Sequence, residues 1–226
     1  MLRSVSTPAF AVSTPVAAPV VARSPMLFAT PIATLIAALL ATSACTPLPT
    51  STAKAASPVV RVANVAGPDG AALVQACTPT GPELCFNAID DNCNGIIDEG
   101  CGEGTGLLQF TIAWGDSPAD VNLAVTTPGQ ERVPNAAGGG PPGFVFGGDC
   151  PGTGGCGGQS VENVYFDGPE PPRGHYNVEI ALADLHGAKP PIDVRFGARL
   201  GGRSLGFAVA LAPGDTAKKT FSFDVQ

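Results

Sequence analysis

From Leu107 onward, hydrophobic residues recur at every second position in short runs. These are "LLQFTIAW" (107–114), "DVNLAVT" (120–126), "ENVYF" (162–166), "HYNVEIALADL" (175–185), "PIDVRFGARL" (191–200), "RSLGFAVAL" (203–211) and "KKTFSFDV" (218–225). Successive side chains of a strand point to opposite faces. Val178, Ile180 and Leu182 therefore share one face, as do Val194, Phe196 and Ala198. Gly and Pro turn signals separate the runs, and none carries a helical period. The pattern predicts an all-β fold, a β-sandwich of about seven or eight strands over residues 106–226. A domain of that size can enclose one core.

Upstream the alternation stops. Residues 77–105 are rich in Cys, Asp and Asn and end in the Gly-rich joint "GEGTG"; residues 45–76, "CTPLPTSTAKAASPVVRVANVAGPDGAALVQA", are mostly Thr, Pro, Ser, Ala and Val. The second composition buries too little apolar surface to offset the entropy of ordering, which predicts a disordered linker. Within it "SPVVRVANV" has some strand character.

Residues 1–44 carry only Arg3 and Arg23 as charges and end in "MLFATPIATLIAALLATSA". An apolar run that short, behind a positive flank, predicts a signal peptide rather than a membrane span. The small residues before Cys45 resemble the lipobox of bacterial lipoproteins: Ser43 and Ala44 fit, and Thr42 stands where that motif prefers leucine. Cleavage without lipid after Ala44 is the alternative. Seven cysteines, at 45, 77, 85, 93, 101, 150 and 156, favour lipidation of Cys45, because six then remain to pair. Removing Arg3 and Arg23 from the twelve basic residues leaves ten against nineteen acids, a net charge of −9. That balance argues against nucleic acid or an anionic membrane surface as a partner, since neither phosphate array would be neutralised. It suits cations. The expected location is the bacterial cell envelope, as an outer-membrane lipoprotein anchored through Cys45, or else secreted.

The densest chemistry is "CFNAIDDNCNGIIDEGC", Cys85 to Cys101. From Asp90 it follows the grammar of a calcium loop. Asp90, Asn92 and Asn94 stand at positions one, three and five, Gly95 at the sharp turn, the Ile96 carbonyl at seven and Asp98 at nine. Ile97 supplies an apolar plug. At position twelve, where an EF-hand has a bidentate glutamate, this chain has Cys101, and no helical pattern flanks the loop. Asp, Asn and Gly are also plain turn formers. Yet Asp90, Asp91, Asp98 and Glu99 crowd together with no Lys or Arg among them, and a divalent cation would relieve their repulsion. Calcium is the expected cofactor. Cys77, Cys85, Cys93 and Cys101 recur every eight residues, unlike the close pairs of zinc sites, so disulfides are expected. Four cysteines allow three connectivities. "CPGTGGC", Cys150 to Cys156, most simply closes on itself.

This stretch resembles the metal-binding motif of MopE-type secreted proteins, in which PE(I/V)C precedes an ID-x-D-C-D-G-x-x-D-E-G-C run. Glu83, Cys85, Ile89, Asp90, Asp91, Cys93, Gly95, Asp98, Glu99, Gly100 and Cys101 match, and Asn92 and Asn94 replace aspartates. The resemblance implies a metal site. The copper binding linked to that family stays as an alternative function, although His175 and His186 both lie outside the motif. The region from Trp114, with Asp120, Val121, Asn122, Leu123, Val125, Pro128 and Gly129, is similar to uncharacterised β-sandwich modules of bacterial envelope proteins. That likeness implies fold and location, with an extracytoplasmic protein or glycan as the unidentified ligand.

Other candidates are weaker. "GRSLG" (202–206) matches the GxSxG nucleophile elbow, but Ser204 falls between strands and both histidines precede it, which places a hydrolase last and predicts no enzyme. His175 and His186 end one predicted strand, too far apart to share a metal. Asp116, Asp120, Asn122 and Asp149 are read as solvated loop residues in preference to a second calcium site. Gly138–Gly158 is a candidate recognition loop.

Overall fold

The computed structural model describes residues 60–74, 77, 81–151 and 158–226; the signal segment, Cys45 and Cys156 lie outside them. The described residues fall in one compact unit, which holds both the cysteine motif and the strands. Eleven strands run in chain order: β1 (Val62–Ala66), β2 (Ala72–Val74), β3 (Leu108–Ala113), β4 (Asp120–Thr126), β5 (Arg132–Val133), β6 (Phe144–Phe146), β7 (Val161–Phe166), β8 (Gly174–Asp184), β9 (Ile192–Leu200), β10 (Arg203–Leu211) and β11 (Lys218–Val225). They make two antiparallel sheets. Sheet A has the order β1-β11-β8-β4-β5 and sheet B the order β2-β10-β9-β3-β7-β6.

The expected alternation builds the core between them. Val178 and Ile180 of β8, Phe221 and Phe223 of β11, and Val121, Leu123 and Val125 of β4 face Phe110 of β3, Val194 and Phe196 of β9 and Phe207 of β10. Aromatic rings join the sheets: Phe196 meets Phe221 at a centroid distance of 4.6 Å, Phe207 meets Phe221 at 5.0 Å, and Phe110 meets Phe223 at 5.6 Å. Such contacts add to the burial of the rings themselves. Tyr176 is fully buried and donates its hydroxyl to the Pro172 carbonyl at 2.6 Å.

The expected linker is overturned in its second half. β1 and β2 extend β11 and β10 at the edges of the two sheets. None of their residues is fully buried, so composition gives little sign of them. Backbone pairing holds them instead, with Asn64 Nδ2 donating to Asp224 Oδ2 at 2.7 Å. β5 and β6 are two further short strands, and they flank part of the glycine-rich excursion.

All six residues of β3 are buried, including its outward-facing Gln109, Thr111 and Ala113. Something must cover that outer face of sheet B. The cysteine motif does so.

Candidate functional site

Residues 81–101 form neither helix nor strand. Two disulfides, Cys77–Cys93 and Cys85–Cys101, interlock them, each joining the first and third or second and fourth cysteine of the series. Phe86, Ala88, Cys93 and Asp98 have positive φ without being glycine. Such a conformation costs about 1–2 kcal/mol per residue, so the surroundings must enforce it. Carboxylates supply the enforcement alongside the disulfides. Glu83 accepts from the backbone N–H of Asp98 at 2.9 Å and of Asp91 at 3.2 Å, which ties the two halves of the motif together. Asp91 accepts from Leu84 N at 3.2 Å and from Asn87 Nδ2 at 2.8 Å. Burial, with the Glu99 charge next, pushes the Glu83 carboxyl up to about 7.

The predicted calcium loop keeps part of its expected shape. Asp90 accepts from the N–H of Asn94 at 3.0 Å and of Gly95 at 2.9 Å, curling the chain around its carboxylate. Asn92 Oδ1 accepts from Asn94 N at 3.0 Å, and Asn94 Oδ1 from Ile96 N at 2.8 Å, two successive Asx turns. The amides of Asn92 (2.6 Å) and Asn94 both donate to Glu99 Oε1. Glu99 Oε2 is buried with no hydrogen-bond partner. Asp98 departs from expectation. It is fully buried and turned to the 87–88 turn, accepting from Ala88 N at 3.0 Å and Asn87 N at 3.2 Å. Its carboxyl pKa is raised because burial outweighs those N–H groups. The group converging on the loop is therefore Asp90, Asn92, Asn94 and Glu99, with Asp98 outside it. Among the described residues, no three His, Cys, Asp or Glu side chains converge as around a metal ion.

Sequence reasoning missed how the motif is seated. Ile97 is buried, its carbonyl accepting from Gln109 Nε2 at 3.2 Å. A buried polar chain continues from there, from Gln109 to Thr111 Oγ1 (3.1 Å), to Asn163 Oδ1 (2.9 Å), and from Asn163 Nδ2 to the Gly104 carbonyl (2.7 Å). Gly95 has φ +85°, and a Cβ there would lie 2.9 Å from the Gly202 carbonyl oxygen, so the loop turn touches the β9–β10 hairpin. Ser204 Oγ donates to Asp90 Oδ2 at 2.6 Å. The GxSxG serine thus sits inside strand β10 and anchors a carboxylate, a geometry unlike the strand-to-helix elbow. Ser204→Ala leaves a buried carboxylate short of one donor. It is expected to lower stability by about 1–3 kcal/mol in denaturant titrations.

At the other candidate cluster, Asn122 Nδ2 donates to Asp120 Oδ1 at 3.3 Å. Asp120 has a raised pKa from burial first and the Asp149 charge second, whereas Asp116 is exposed and takes no part. The unanticipated member is Glu162 of β7. Its inward position follows from the alternation with Val164 and Phe166, and it accepts from Leu123 N of β4 at 2.7 Å and Cys150 N at 3.3 Å. Cys150 is disulfide-bonded; its expected partner, Cys156, is outside the described residues. His175 contacts Asp224 at 2.7 Å and His186 lies 3.6 Å from Asp184, so the histidines occupy separate surroundings. No family model matches this chain, and no curated protein or solved structure does.

Proposed function

We propose that this chain is an exported, non-catalytic module of the bacterial envelope, lipid-anchored through Cys45. Its acidic motif is a disulfide-locked, calcium-stabilised cover on a β-sandwich that binds or braces an extracytoplasmic protein or glycan. The observation that carries this reading is the interlocked pair Cys77–Cys93 and Cys85–Cys101 holding the motif on sheet B. Two such bridges in a small acidic segment belong to an oxidising compartment. The likeness to MopE-type motifs points the same way. Calcium is favoured by the donor set: hard oxygens of Asp90, Asn92, Asn94 and Glu99, the last with a buried oxygen that no protein donor satisfies. The Ile96 carbonyl can complete that set. A copper site would need imidazole or thiolate ligands, but the motif cysteines are oxidised and His175 engages Asp224.

The test is thermal unfolding of the full chain from an oxidising host, with calcium and then with chelator. Binding to the native state alone raises stability by about 2.7 kcal/mol at a hundred times Kd. A midpoint rise with calcium, lost in Asp90→Ala, is the expected result. Superimposable melts with a flat calorimetric titration would leave the acids as turn caps only. A mass for the mature N-terminus without lipid on Cys45 would remove the anchor.

A further inference from the structure

The motif's segment, residues 81–101, contains Glu83, Asp90, Asp91, Asp98 and Glu99 but no Lys or Arg, and none of the ion pairs among the described residues reaches it. Its positive charge comes from elsewhere in the chain. Arg199 stands on β9 directly opposite Ser204 of β10 on one side and Gln109 of β3 on the other. Both of those neighbours hold the motif, Ser204 through Asp90 and Gln109 through the Ile97 carbonyl. Adjacent strands lie about 4.8 Å apart, so Arg199 rises beneath the motif between two of its attachment points. Its Nε donates to the Gly201 carbonyl at 3.2 Å, which pins the guanidinium at the hairpin that Gly95 abuts. Burial lowers the guanidinium's pKa, and the charges of Asp90 and Glu99 oppose that lowering. The orphaned Glu99 Oε2 is thus a buried acceptor within the field of a partly buried cation.

We propose that Arg199 is the built-in counter-ion of the acidic motif, and that a divalent cation binds the motif in competition with it. A planar, permanently charged group tethered to the sheet neutralises part of the cluster without needing ion capture. It also repels a second cation arriving at the same carboxylates, so calcium affinity is lower than the loop's donor set alone would give. The competition rests on the calcium reading above; the counter-ion assignment does not.

The experiment uses the oxidised full chain as wild type, Arg199→Gln, Arg199→Lys, Glu99→Gln and the Arg199→Gln/Glu99→Gln double variant. Calcium chloride is titrated by calorimetry, and thermal midpoints are read in chelator at low and high salt. Arg199→Gln is expected to bind calcium about tenfold more tightly than wild type. In chelator its midpoint falls by roughly 4 °C, less at high salt. Glu99→Gln in the same chain recovers part of that loss, and Arg199→Lys stays near wild type. A midpoint loss that is equal at both salt concentrations and unchanged by Glu99→Gln would overturn the counter-ion role. Equal calcium affinities for Arg199→Gln and wild type would overturn the competition. If no variant binds calcium but the Arg199–Glu99 coupling persists, the calcium reading and the competition fall together and the counter-ion assignment stands.

Discussion

Gly197→Ala is expected to lift the motif from sheet B and to cost roughly 3 kcal/mol of stability. Gly197 lies in the middle of β9, paired with Gly206 of β10 and Thr111 of β3. A Cβ at this position would lie 2.3 Å from the Ala88 carbonyl oxygen and 2.9 Å from Ile97 Cδ1. The first of these atoms is backbone in a loop fixed by two disulfides, so no rotamer change relieves the clash. Local conformation argues the opposite sign. In a free strand alanine is better than glycine by about 0.5–1 kcal/mol, because it loses less backbone entropy on folding. The direction of the change therefore decides whether the motif packs on this face. Denaturant titration measures it, and amide exchange locates it: protection should fall at residues 86–101 and at Gln109 and Thr111. A stabilised variant with unchanged protection would show that the motif does not rest on Gly197.

The strands of the sandwich were legible because their information is local. β4, β10 and β11 coincide with the expected runs, and β3, β7, β8 and β9 differ from them by one or two end residues. Alternation of period two is a property of the pleat, and burying one face writes it into the sequence. The motif has no such period. Its shape follows from which cysteines pair and which N–H groups each carboxylate meets, and neither is encoded in spacing. Asp98 and Glu99 are adjacent acids. The position-nine count selects Asp98, but the chain turns so that Asp98 caps residues 87–88 and Glu99 gathers Asn92 and Asn94. Ser204 and Arg199 were hidden for another reason. They stand 114 and about 109 positions from Asp90, and only the β9–β10 hairpin brings them to it. Gly197 and Gly206 did carry a signal, since a glycine inside a strand marks a close approach by another backbone or ligand. β1 and β2 carried almost none, because an edge strand stabilised by ladder pairing needs little apolar surface of its own.

Raising the pH should destabilise this protein well before its lysines titrate, and Glu162→Gln should remove that dependence above pH about 7, where Glu83 no longer contributes. Glu162 is only 1 % exposed and bridges the sheets from β7 to Leu123 N of β4. Burial, which outweighs the N–H groups of Leu123 and Cys150, and then the charges of Asp149 and Asp120, push its carboxyl up to about 9 from an ordinary 4.5. Below pH 4.5 the group is protonated whether the chain is folded or not, and its contribution is fully present. Between 4.5 and about 9 only the folded chain keeps the proton. Unfolding then releases it, and stability falls by up to about 1.4 kcal/mol per pH unit. Above about 9 the folded chain loses the proton too, and the decline stops. Glu83, raised to about 7, adds to the slope only below that value, so the interval from 7 to 9 reports Glu162. Glutamine keeps one oxygen for Leu123 N but turns an amide N–H toward Cys150 N, at a cost of about 1–3 kcal/mol. The variant should therefore be the weaker protein at pH 5 and the equal or stronger one at pH 9, with crossing curves in urea titrations. Parallel curves would mean that Glu162 is ionised in the folded chain, its charge held by the two N–H groups in spite of its burial.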